Sequence, residues 1–171
     1  MPHPLQPDLH DGGDRFVDLR PLTLNAREKQ TVIALALAIL KQRHCAGRAF
    51  TKPEDTRAYL RIRLAEHKAE LFGAFFLDNR HRIIKAVDLF HGTIDGASVY
   101  PRIVVQRALE ANAAAIVCFH NHPSGVAEPS HADEAITRRL KEALALVDIR
   151  LLDHFVVAAG ESVSFAERGL L

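Results

Sequence analysis

The run Ala113–Phe119, AAAIVCF, ends abruptly in His120-Asn121-His122-Pro123-Ser124-Gly125. A strand that is apolar on both faces has to be covered on both, which suits the centre of a sheet held between helices rather than its edge. Polar side chains that follow such a strand are presented by a rigid scaffold, where binding and catalytic groups concentrate. The chain is therefore expected to be an α/β sandwich with its chemistry at the end of one central strand.

The rest of the sequence supplies the layers. Asn25-Ala26-Arg27-Glu28 pairs a capping residue with a glutamate three positions on, and predicts a helix to about His44. Its apolar stretch, Thr31–Leu40, is about half of the ~20 residues needed to cross a bilayer, so a core helix is expected and no membrane span. Thr51-Lys52-Pro53-Glu54 opens a second helix, to about Leu64. Glu70–Leu77 and Arg82–Phe90 read as strands joined at Asp78-Asn79-Arg80, an antiparallel hairpin. Pro101 opens a helix ending near Asn112. His131–Val147 is an amphipathic helix carrying Ile136, Leu140, Leu144 and Val147, and Ile149–Ala158 is a last strand before a short tail. The order is ααββαβαβ.

Composition narrows the class. A chain of 171 residues, 48% apolar and 25% charged, suits one globular domain able to fold without covalent staples. Lys and Arg total 22 against 21 for Asp and Glu, so the net charge of +1 gives no support to nucleic acid as a partner, though it leaves DNA open. Cys45 and Cys118 form no CxxC, which offers neither a disulfide framework nor an all-cysteine zinc site and points to a reducing, cytoplasmic setting. The opening MPHPLQPDLHDGGDRF has neither the basic start nor the apolar run of a secretion signal, and is expected to be a disordered arm to about residue 20.

Among ten histidines, His120 and His122 stand two apart just after the buried strand, with Pro123 and Gly125 to set the turn. Asp133, opening the next helix, can come back toward them. Two nitrogens and one carboxylate form a ligand set that leaves the fourth position of a catalytic zinc open to water. Water so activated is nucleophilic near neutral pH, and a general base must take its proton. Glu70, at the start of a strand, is the candidate, and Glu66 competes with it. Simpler roles exist for several of these residues. Ser130-His131-Ala132-Asp133 is a near capping box, so Asp133 serves either the helix backbone or an ion. Of Asp153 and His154 in the last strand, one must face the core, either orienting a zinc histidine or forming a buried hydrogen-bonded pair. His131 fits the surface and Cys118 fits the core. Arg57, Arg61 and Arg63, and Arg138, Arg139 and Lys141, could touch phosphates, but no aromatic residues interleave them and solvated helix faces are the simpler reading.

Several blocks occur in a fixed order: Glu70-Leu71-Phe72, LFHGT at Leu89–Thr93, ASVYPR at Ala97–Arg102, HNHPSG at His120–Gly125, Pro129-Ser130 with Asp133, Leu152-Asp153-His154, and VSFAERG at Val163–Gly169. On them the chain from about residue 50 resembles the RadC family of bacterial JAB/JAMM (MPN-type) domain proteins. The resemblance implies a domain at 50–171 after a helical extension at 21–49, with a cytidine-deaminase-like mixed sheet sandwiched by helices. It implies a zinc-dependent metallopeptidase in which His120, His122 and Asp133 bind Zn2+, Glu70 activates water and Ser130 supports the tetrahedral intermediate. JAMM domains include isopeptidases that cut ubiquitin-like conjugates, so the implied substrate is a peptide or protein conjugate. The RadC name itself is attached to DNA repair. Full-length members carry an N-terminal helix-hairpin-helix module, for which the region before residue 50 is too short, so the chain looks like a short form. Val126 and Ala127 stand where the family has a more polar turn.

A reading of another class is a DNA-repair or mobile-element accessory protein that binds DNA or a protein partner around a structural or residual metal. It would show as salt-sensitive DNA binding. Nucleobase deamination requires an H-x-E signature with cysteine ligands, which is absent. The string His120-Asn121-His122 is also no sign of an HNH nuclease, whose name refers to residues dispersed through a ββα-metal module.

Overall fold

A computed structural model describes residues 19–43, 53–64, 67–92 and 98–171. The chain divides into two units, Met1–Leu35 and Ala36–Leu171. A turn at 21–23 leads into α1 (Ala26–Arg43), which starts in the first unit at the expected capping box and has its residues from Ala36 on in the second. The Glu28 N–H donates to Asn25 Oδ1 (3.0 Å) and the Asn25 N–H to Glu28 Oε2 (2.8 Å). The expectation of a core helix fails: Val32, Leu35 and Ile39 are 41%, 46% and 47% exposed. An apolar run states what a helix can bury, but burial also needs a complementary surface. No described helix is long and apolar enough to cross a membrane. The expected arm as far as Asp18, together with Cys45, Thr51 and Glu66, lies outside the described residues.

The second unit is a five-stranded sheet between helices. Its elements are α2 (Pro53–Leu64), β1 (Leu71–Leu77), β2 (Ile83–His91), α3 (Pro101–Glu110), β3 (Ala115–Asn121), α4 (His131–Ala145), β4 (Arg150–Val157) and β5 (Ser162–Ser164). The strand order is β2-β1-β3-β4-β5, with β3 and β4 parallel and all other neighbours antiparallel. This is the mixed α/β sandwich that the sequence predicts, and β1 with β2 is the expected hairpin.

Alternation along the strands makes two cores. On one face Leu71, Phe75, Leu77, Val117 and Phe119 meet Tyr59, Leu60 and Leu64 of α2. On the other, Phe72, Ala74, Phe76, Ile116 and Cys118 meet Val104 and Ala108 of α3 and Leu140 and Leu144 of α4. Burial pushes the Cys118 thiol pKa up, so this cysteine acts as a small core residue, as read. Gly73 interrupts the β1 pattern because the Phe119 ring occupies the space of a side chain: a Cβ there would lie 2.4 Å from Phe119 Cζ and 2.8 Å from the Val87 carbonyl oxygen. Two of the α2 arginines are more than a solvated face. Arg57 pairs with Glu167 and lies over the Phe155 ring, while Arg63 bonds Asp88 (2.5 Å) and lies over Tyr59 and Phe119.

Two boundaries differ from the sequence reading. The loop was expected from His120, yet β3 continues through Asn121, with His120 opposite Phe72 and Val156 and Asn121 opposite Val157. Polarity describes where a side chain can go, and the backbone of both residues remains in the ladder. The expected tail contains β5, which pairs with Phe155–Val157. A three-residue strand is too short to show a period of two.

Candidate metal centre

The pleat at the end of β3 sends successive side chains to opposite faces. His120 faces the α3/α4 side, 1% exposed, with its ring parallel to that of Phe72 (14°, centroids 6.3 Å apart). His122 is the first loop residue, and its N–H still donates to the Val157 carbonyl (2.8 Å). The loop then turns at Gly125, whose φ of +88° favours glycine. The His122 Nδ1 bonds the Val126 carbonyl oxygen (2.9 Å). Farther along, Arg168 reaches both carboxylate oxygens of Glu128 (2.6 and 2.7 Å) and ties the loop to the C-terminal segment.

Ser130 caps α4, and the near capping box of the sequence is a made one. The Asp133 N–H donates to Ser130 Oγ (3.2 Å), and the Ser130 N–H and hydroxyl donate to Asp133 Oδ2 (2.7 and 2.6 Å). The same carboxylate meets the histidines: Oδ1 is 3.2 Å from His120 Nε2 and Oδ2 is 3.3 Å from His122 Nε2. The two Nε2 atoms are 2.9 Å apart. Backbone cap and candidate ion site are thus not alternatives, because the one carboxylate of Asp133, a residue 8% exposed, faces both.

His120, His122 and Asp133 offer ligand atoms that all lie within 4.8 Å of one another. A carbonyl oxygen only accepts, so the His122 Nδ1 carries its proton toward Val126, and in the neutral ring Nε2 presents a lone pair to the cluster. A lone pair and a carboxylate converging on one point fit a cation, and the nitrogen and oxygen donors suit zinc. The electrostatics agree. Burial opposes the charge on Asp133, but its contacts with His120, His122 and Ser130 outweigh it and hold the carboxyl well below its usual range. The His122 pKa is raised, chiefly by the Asp133 carboxylate against desolvation, with smaller contributions from the Val126 carbonyl and the charge of Glu70.

Glu70 stands apart from the three converging groups, one residue before β1. Alternation places it on the face of Phe72, the face of His120, and its charge acts on His122. Asn121, pointing the other way, holds this segment. Its Oδ1 accepts from the Leu71 N–H (2.8 Å), and its Nδ2 donates to the carbonyls of Ala69 (3.2 Å) and His67 (3.4 Å). The Glu70 carbonyl accepts from the Gly92 N–H (2.7 Å) on the β2 side. The competitor Glu66 lies outside the described residues.

Of the pair in β4, His154 is the one beside the cluster. It is fully buried, its Nε2 is 2.8 Å from His120 Nδ1 and its Nδ1 is 2.7 Å from Thr137 Oγ1. Complete burial holds its pKa well below the ordinary value, so the ring is neutral. Asp153 instead accepts from Ser164 Oγ (2.6 Å) and the Ala166 N–H (3.0 Å), binding the C-terminal segment, while burial raises its pKa. His131 is exposed, as read. Sequence reasoning assigned no role to Thr137. Its only signal is a spacing of four from Asp133, which puts both on one helix face.

A mixed sheet covered by α2 on one side and α3 and α4 on the other, with two histidines at the end of its central strand and an aspartate at the start of the next helix, defines a JAB-type α/β domain. Residues 50–170 match the RadC-like JAB domain, and the chain belongs to that family. It is 61% identical over 143 residues to a UPF0758 protein of Thioalkalivibrio sulfidiphilus, covering 83% of this chain and 63% of that protein. Similar relatives are UPF0758 proteins of Halorhodospira halophila, 56% identical over 144 residues (84% of this chain, 64% of that protein), and of Vibrio cholerae, 56% identical over 140 residues (82% and 88%). The chain spans just under two thirds of the length of the first two, and their shared name states no activity.

Proposed function

We propose that this chain is a zinc-dependent hydrolase that cleaves an amide bond, a metallopeptidase or isopeptidase acting on a peptide or protein conjugate in the cytoplasm. The observation that carries this reading is the convergence of His120, His122 and Asp133 within 4.8 Å at the end of β3. When bound there, zinc supplies Lewis acidity that makes water nucleophilic near neutral pH. Glu70, on the same face of the sheet, takes the water proton and returns it to the leaving amine. The Ser130 hydroxyl, now donating to Asp133, is the candidate donor to the oxyanion that develops on the amide carbonyl. That role requires the hydroxyl to turn from Asp133, whose Oδ2 keeps the Ser130 N–H as a donor.

The test is the metal content of purified protein by elemental mass spectrometry, with His122→Ala and Asp133→Ala checked for folding by circular dichroism. About one zinc per chain, lost in both variants, is the expected result for a site with three protein ligands. Screening of peptide and isopeptide substrates then follows, with Glu70→Gln expected to retain zinc and lose turnover. A folded protein that takes up no added zinc would overturn the proposal.

A further inference from the structure

The bonds around His154 form a chain that begins at the backbone carbonyl of Asp133 and ends at His120. The Thr137 Oγ1 lies 2.5 Å from the backbone carbonyl oxygen of Asp133, one helical turn earlier. A carbonyl cannot donate, so the single hydroxyl proton of Thr137 is spent there. Toward His154, 2.7 Å away, Thr137 then has only lone pairs to offer, and the proton in that bond belongs to the His154 Nδ1. A neutral imidazole carries one N–H, so the His154 Nε2 is bare and accepts from the His120 Nδ1 (2.8 Å). With its proton committed to Nδ1, His120 presents a lone pair at Nε2, the atom 2.9 Å from His122 Nε2 and 3.2 Å from Asp133 Oδ1. No other polar partner competes for the His154 ring nitrogens among the described residues: the ring is stacked on Phe165 (27°, 4.9 Å) and edge-on to Phe72 (67°, 5.4 Å).

We infer that Thr137 and His154 are positioning residues that lock His120 in the tautomer whose Nε2 is free to bind a metal. Thr137 sets the direction of the relay, because it alone decides which nitrogen of His154 holds the proton. Without its hydroxyl, the sole polar neighbour of the His154 ring among the described residues is His120. The His154 proton then moves to Nε2, His120 Nδ1 becomes the acceptor, and the His120 proton shifts to Nε2, where it blocks coordination. The same carbonyl that fixes the relay belongs to Asp133, so the positions of the carboxylate and of the buried histidine are coupled through one turn of α4. This inference rests on the zinc reading above for its consequence and on the bond chain alone for the tautomer.

Two measurements test it on the full chain, in wild type, Thr137→Val and Thr137→Ser. Long-range proton–nitrogen correlation spectra of the metal-free protein read the tautomers directly. Wild type and Thr137→Ser are expected to carry the His154 proton on Nδ1, and Thr137→Val, of nearly equal shape, to carry it on Nε2. Competition with a chelator reads zinc affinity, expected to fall about 10–100-fold in Thr137→Val and to return toward wild type in Thr137→Ser. A wild-type His154 protonated on Nε2 overturns the inference whatever the variants do, as does a Thr137→Val protein with unchanged tautomer and affinity. If wild type shows the expected tautomer yet takes up no zinc, the relay stands and the zinc reading fails.

Discussion

A buried N–H that loses its acceptor costs about 1–3 kcal/mol, and the Leu71 N–H has its acceptor in Asn121 Oδ1. Asn121→Ala is expected to lower the unfolding free energy in urea by about that amount and to speed exchange of the Leu71 amide. Zinc uptake should be unchanged, because His120 and His122 do not depend on that side chain, while any turnover that requires Glu70 should fall. Unaltered exchange at Leu71 would show that the segment before β1 is held by something else. At this scale the three converging residues were legible because their pattern is local: two imidazoles after a buried strand and a carboxylate at the next helix start. Asn121 and Thr137 were not. An asparagine or a threonine acquires its meaning from the group facing it, and here that group is the Leu71 amide in one case and the His154 ring, on another element, in the other.

Elements followed the sequence where their signal was long. The capping boxes at Asn25 and Ser130 and the helical spacing in α4 gave helix starts and faces that the structure repeats. β3 was legible as central because both its faces are apolar, but its end was not, since His120 and Asn121 look like loop residues until Phe72 and Val157 are found opposite them. α1 failed in the other direction, its apolar run being read as burial that the structure does not show. Packing between strands also makes a firm prediction at Gly73. Gly73→Ala would put a methyl group 2.4 Å from Phe119 Cζ and 2.8 Å from a backbone oxygen that belongs to the β1–β2 ladder. Overpacking of this kind costs about 1–3 kcal/mol, and the melting temperature should drop by roughly 2–4 °C for each of them. An unchanged melting temperature would mean that the Phe119 ring can leave its place at no cost.

For the whole molecule, a ligand that binds only the folded state stabilises all of it. Zinc at a free concentration a hundredfold above its dissociation constant adds about 2.7 kcal/mol, and a chelator should remove that gain. His122→Ala should melt at one temperature with and without zinc. A rise with zinc that survives in His122→Ala would locate the metal elsewhere. The pleat of β3 carries a last consequence. His120 and Asn121 are adjacent, and the strand gives one to the side of Asp133 and the other to the side of α2. Deleting a single residue between Ala115 and Phe119 would reverse that parity, turning the imidazole toward α2 and the amide toward Asp133. Both functions would vanish together, even though every residue that performs them remained in the chain. Two residues removed would restore the facing and shorten the strand instead. The length of β3 is therefore constrained as an odd-or-even quantity.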